Sequence, residues 1–232
     1  MNKNDKKKKF EQNYFGGYYY KNVGEFTEKD LDKSMNWFTG WFTYLQKFIN
    51  LKEGNGRKVL EIGCSIGGAS HILAQRGFEV HASDISSYSV KKAKVLAKKL
   101  HRDIKFYTFD VQKALPLKER FDFIYAFEVI EHLADPLKSI KNMKQHLKKG
   151  GLLVCSTPNG DHDFSSDPTH ISVKSPTEWK KVFKQAGFKT IIIEQIAFLP
   201  LLYRLHKRFH IIFPFPVYSK YINSPLFIIA KT

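Results

Sequence analysis

The chain has 232 residues, 43% of them hydrophobic, enough for one sizeable core at the upper end of single-domain length. It carries no long apolar run and no charged-then-apolar leader, which argues against a membrane span and a secretory signal, so a cytoplasmic protein is expected. Its two cysteines, Cys64 and Cys155, form no CxxC pair and so encode neither a disulfide framework nor a zinc ribbon, and its net charge of +16 suggests an anionic partner.

Residues 1–53 read as an N-terminal tail followed by a lid and helix segment, beginning with the "KKKK" of 6–9 and the aromatic "NYFGGYYYKNVGEF". From Glu28 to Leu51 the apolar residues Leu31, Met35, Phe38, Phe42, Leu45 and Ile49 recur every three or four positions, as one helical face requires. After the break at "GNGR", strand and helix patterns alternate over 54–232. "KVLEI" (58–62) leads through a glycine-rich turn into the helical "GASHILAQRG", and "FEVHASD" (78–84) into "VKKAKVLAKKL" (90–100). The lysines of that helix fit a solvated face, which weakens the case for nucleic acid. "IKFYTFD" (104–110) and "FDFIYAF" (121–127) follow, then "EVIEHL" and "DPLKSIKNMKQHLKKGG", a helix closed by glycines. "LLVCSTP", the helix "SPTEWKKVFKQAG" and the strands "FKTIIIEQI" and "PLFIIAK" complete the series. Such alternation predicts an α/β doubly wound sheet, mostly parallel and covered on both faces.

In that architecture ligands lie at the carboxyl ends of the strands. The residues there include Glu61, Asp84 and Asp110, each at the end of a strand. The turn "LEIGCSIGGAS" departs from G-x-G-x-x-G, with Ser65 in the middle position. A carboxylate at Glu61 repels phosphate but accepts hydrogen bonds from an ammonium group, so the turn suits a nucleoside joined to an amino acid. Asp84 is placed for ribose hydroxyls and Asp110 for an adenine amino group; helix N-capping is the alternative role for each.

In order and spacing, "VLEIGCSIGG", "ASDIS", "FDVQ", "FDFIYAFEVIEHLADP" and "LKKGGLLVCSTPN" resemble the class I S-adenosylmethionine-dependent methyltransferases, over about 54–194 and the terminal strand, and the ubiquinone-pathway O-methyltransferases among them. The resemblance implies a seven-stranded sheet with a reversed last strand. It also implies S-adenosylmethionine as cofactor, with contacts at Glu61, Gly63, Ser65, Gly67, Asp84, Ile85, Asp110, Val111 and Glu128.

"FEVIEHL" (127–133) admits three readings. On a helix, Glu128, Glu131 and His132 share one face and could bind a divalent ion, with His162 and His170 available downstream as further ligands, an option that is not favoured. Alternatively His132 is a base facing the acceptor, or the stretch is structural. His170, in "DPTHISV", is a second candidate base, and Tyr18, Tyr19 and Tyr20 are candidate lid residues. Between the last two strands, about 196–224 forms a basic aromatic insertion without acidic residues, with Arg204, Lys207, Arg208 and Lys220 among Phe198, Tyr203, Phe209, Phe213, Phe215, Tyr218 and Tyr221. It suits a greasy acceptor, peripheral membrane contact, base stacking or an ordinary lid. The expected function is methyl transfer to a small or lipid-like acceptor at oxygen. RNA methylation and a non-catalytic scaffold are the alternatives.

Overall fold

A computed structural model describes residues 27–162, 167–199, 206, 211–217 and 224–232. Tyr18 to Tyr20, the lysines of 6–9 and the four cations of the basic insertion lie outside them.

Helix α1 (Glu28–Leu45) starts at a capping box. Thr27 accepts from the Asp30 N–H, and the Asp30 carboxylate accepts from the Thr27 N–H at 3.1 Å. Its buried stripe of Leu31, Trp41, Phe42 and Leu45 follows the predicted period. This helix is part of the main core. Trp41 sets its ring edge-on against Phe127 at 5.4 Å and Phe227 at 5.2 Å.

The strands β1 (Lys58–Ile62), β2 (Glu79–Asp84), β3 (Ile104–Thr108), β4 (Phe121–Phe127), β5 (Leu147–Thr157), β6 (Thr190–Gln195) and β9 (Leu226–Lys231) form one sheet in the order β3-β2-β1-β4-β5-β9-β6. β1 to β5 pair in parallel, and β9 runs antiparallel between β5 and β6. This is the expected seven-stranded doubly wound sheet with its last strand reversed. Helices α1, α2 (Gly68–Gln75) and α3 (Ser87–Lys99) cover one face, through Phe42, Leu73, Val90 and Ala93. Helices α4 (Pro136–Gln145) and α5 (Pro176–Gln185) cover the other, through Ile140, Met143, Trp179 and Phe183. On α3, Lys91, Lys94, Lys98 and Lys99 are exposed while Ala93, Leu96 and Ala97 are buried, as a solvated face requires.

Two elements differ from the expectation. "HLKKGG" reads as a helix end, yet β5 begins at Leu147, because Leu147 pairs with Phe121 before a register shift carries Leu152 to Phe123. Gly150, at φ 75°, takes up the extra residues. The insertion also contains a hairpin, with β7 (Ala197–Leu199) pairing antiparallel with β8 (Ile211–Phe213). Phe198 is fully buried, its ring 4.8 Å from Trp37, while Ile211 and Phe215 are exposed.

Candidate active site

The glycine turn between β1 and α2 is built from left-handed residues. Gly63, Ser65 and Gly67 have φ of 79°, 47° and 86°. Ser65 therefore takes a conformation that usually selects glycine, and its N–H is fixed by donating to Asp84 Oδ2 at 2.8 Å. The other oxygen of Asp84 accepts from the Ser86 N–H at 2.9 Å, so the end of β2 braces both flanking turns. A side chain at Gly63 would collide with Val129, so only glycine lets the turn lie against the segment following β4.

Glu61 is buried in β1. Its Oε2 accepts from the Ser70 N–H at 3.1 Å, from the Ser70 hydroxyl and from the Tyr125 hydroxyl at 3.2 Å. It thus ties β1 to α2 and β4. Burial pushes its carboxyl up to about 8, although all three hydrogen bonds act in the opposite direction. Asp110, after β3, accepts from the Gln112 N–H at 3.0 Å. Val111 is buried next to it, and Ile85 is half-buried after Asp84. The sheet brings all these residues to the carboxyl edge of neighbouring strands, where ligands bind in doubly wound folds.

The segment after β4 does not form the helix that would put Glu128, Glu131 and His132 on one face. Glu128 adopts φ 52°, and only Ile130–His132 makes a single 3-10 turn. The Glu128 N–H donates to the Ser156 hydroxyl at 3.0 Å, and that hydroxyl donates to Glu128 Oε1 at 2.7 Å. Glu128 therefore turns to β5 and does not share a helical face with Glu131 and His132. His170 joins those two in its place: one ligand atom from each of Glu131, His132 and His170 lies within 4.8 Å of the others. Glu131 is fully buried, with His132 Nε2 4.0 Å from its Oε1. The rings of His132 and His170 meet edge to face at 4.8 Å.

A family model described as "Methyltransferase domain" matches residues 38–192, more than half of the chain. The chain belongs to the class I S-adenosylmethionine-dependent methyltransferases. This methyltransferase is 28% identical over 171 residues to a ubiquinone biosynthesis O-methyltransferase of Ruegeria, a match covering 64% of this chain and 67% of that protein. It is 29% identical over 180 residues to a protein of the same name from Coxiella burnetii, covering 68% and 73%. The chain thus spans about two thirds of the length of the Ruegeria protein. The fold is similar to that of a SAM-dependent methyltransferase from Aquifex aeolicus, with a TM-score of 0.59, 20% identity and coverage of 82% of this chain and 88% of that one. YcgJ of Bacillus subtilis gives a TM-score of 0.63 at 15% identity, covering 86% and 97%.

The methyltransferase site also contains residues that motif reading passes over. Ser70 and Tyr125 hold Glu61, Ser156 holds Glu128, and Asp167 and Thr169 lie beside His132. For the last pair "DPTH" carries a local signal, since an Asp-Pro-Thr turn ahead of a histidine offers side-chain acceptors close to the ring.

Proposed function

We propose that this enzyme methylates a small or lipid-like acceptor at oxygen, with His132 facing the acceptor hydroxyl. The observation that carries the reading is the meeting, at one sheet edge, of the glycine turn and Asp84 with the cluster of Glu131, His132 and His170. The relatives named as ubiquinone biosynthesis O-methyltransferases support an oxygen acceptor and a lipid-like molecule.

Bound S-adenosylmethionine supplies a methyl group already activated on a sulfonium. The left-handed turn fits such a group, because Gly63, Ser65 and Gly67 hold the backbone after β1 at positive φ and Asp84 holds Ser65 in place. Gly63, Ser65, Gly67, Asp84, Ile85, Asp110 and Val111 would line the cofactor, with Glu61 and Glu128 behind the turns they brace. The protein's main task is then orientation, which contributes on the order of 7–11 kcal/mol in favourable cases. His132 accepts the proton of the acceptor hydroxyl, and His170 lies within reach as a second base.

A second reading puts a divalent cation on Glu131, His132 and His170. The donor set of one carboxylate and two imidazoles suits it. Ligands about 2.1 Å from an ion stand roughly 3–3.5 Å apart, so the spacing here calls for the three groups to draw closer, and the base reading comes first.

The exposed Ile211 and Phe215, on a segment without an acidic residue from Gln195 to Thr232, support an apolar acceptor and peripheral membrane contact over RNA. Calorimetry with S-adenosylhomocysteine, followed by labelled-methyl transfer to lipid, phenolic, sugar and RNA acceptors with and without chelator, tests the reading. Binding and labelling of a phenolic or lipid acceptor, undiminished by chelation, is the expected result. Absence of cofactor binding at sub-millimolar concentration overturns it, and labelling of RNA alone favours the alternative.

A further inference from the structure

The ring of His132 has two nitrogens, and the value of this residue to either reading depends on which one carries the proton. Nδ1 lies 3.2 Å from the Thr169 carbonyl oxygen, an atom that only accepts. It also lies 2.8 Å from the Thr169 hydroxyl. That hydroxyl directs its own proton to Asp167 Oδ1 at 2.6 Å, which leaves its lone pairs to face Nδ1. Both of these groups of Thr169 therefore face Nδ1 as acceptors.

The arrangement is fixed by backbone as well. Asp167 Oδ1 accepts from the Thr169 N–H at 2.8 Å, and both residues are buried. The following residues are stitched to the 3-10 turn. Ile171 and Ser172 donate their N–H groups to the Glu131 carbonyl at 3.0 and 2.8 Å, and the Ser172 hydroxyl donates to the Leu133 carbonyl at 2.6 Å. The loop ahead of α5 thus carries Asp167 and Thr169 to one side of the His132 ring. Glu131 lies toward the other nitrogen, Nε2.

We propose that Asp167 and Thr169 are positioning residues that hold His132 as its Nδ1–H tautomer, so that Nε2 is the basic nitrogen directed toward Glu131 and His170. The inference deepens the functional reading above and rests on it for its purpose: Nε2 can take a proton from an acceptor hydroxyl, or bind a cation, only if it carries no hydrogen of its own. The tautomer itself is a property of the protein without cofactor or acceptor.

Nitrogen-15 spectra of the imidazoles in the full chain, recorded where the rings are neutral and assigned by comparison with His132→Gln, test it. The wild-type protein is expected to show a pyrrole-type Nδ1 and a pyridine-type Nε2 for His132. Thr169→Ser keeps the hydroxyl and is expected to keep that pattern. Thr169→Val, close in shape, leaves the more distant carbonyl and is expected to shift both signals toward tautomer averaging. A wild-type His132 with its proton on Nε2, or a Thr169→Val spectrum identical to wild type, overturns the proposal. Failure of the wild-type protein to bind S-adenosylhomocysteine, with the Nδ1–H pattern present, overturns the methyltransferase reading of the site and leaves the relay standing.

Discussion

Glu61 shows how a single residue can be legible in position and illegible in partnership. A carboxylate closing an apolar strand next to a glycine turn stands out in the sequence, and the structure finds it at that strand end. Its hydrogen-bond partners Ser70 and Tyr125 belong to two other elements, and no local pattern couples them to it. His71 of α2 is fully buried, neither of its ring nitrogens has a hydrogen-bond partner among the described residues, and burial together with the charge of Arg102 lowers its pKa to about 4. For Glu61 the upward shift has a definite sign. A carboxyl that ionises more readily in the unfolded chain stabilises the fold fully below its ordinary value of 4.5, and this contribution is lost as pH rises through about 8. Glu61→Gln keeps an oxygen acceptor for Ser70 and Tyr125 and removes the titration. It is expected to be more stable than wild type at about pH 9 by a few kcal/mol, with the difference vanishing near pH 4. Urea unfolding midpoints across that range check this, and parallel curves for the two proteins would remove Glu61 as the source.

At the scale of elements, regular strands were readable and connections were not. β1 and β4 have the bounds that their apolar runs suggest, because buried parallel strands need continuous hydrophobic sequence. The segment 128–132 has helical spacing, but the bonds from Glu128 to Ser156 hold its start in a left-handed conformation, and Asp135 caps a new helix at Pro136. Helical periodicity counts residues along one segment and is blind to a neighbouring strand. The close approach of this segment to the glycine turn makes a second test. Gly63→Ala places a methyl group against Val129 at a φ of 79°. Overpacking costs typically 1–3 kcal/mol and the left-handed conformation adds about 1. The variant is expected to lose at least about tenfold in S-adenosylhomocysteine affinity and to unfold at lower urea, because relief of the collision moves the turn proposed to hold the cofactor. Wild-type affinity in calorimetry would mean that the turn can move without consequence for the site.

For the whole molecule, alternation of strand and helix was enough to anticipate a doubly wound sheet and the family resemblance supplied its reversed last strand, whereas the hairpin of β7 and β8 follows from tertiary contact. Phe198 is fixed by Trp37 and Trp41 on α1, far away in sequence. That hairpin leaves Ile211 and Phe215 exposed on a segment whose charged residues are all basic. None of the described helices is long and apolar enough to cross a membrane. Basic residues near an anionic surface contribute about 1 kcal/mol each, and the attraction decays within a Debye length of roughly 10 Å at 0.1 M salt. Reversing Lys207 and Arg208 to glutamate changes four units of charge in the same stretch of sequence and is expected to weaken binding to anionic vesicles by at least about thirtyfold, or about 2 kcal/mol. Flotation with phosphatidylglycerol vesicles against neutral ones checks this, and wild-type binding should also fall as salt rises. If the double variant floats like wild type, or neutral vesicles bind equally well, electrostatic docking is wrong. The exposed Ile211 and Phe215 would then be better explained as a cover over the acceptor than as a membrane contact, because apolar burial against the domain does not depend on the sign of a lipid headgroup.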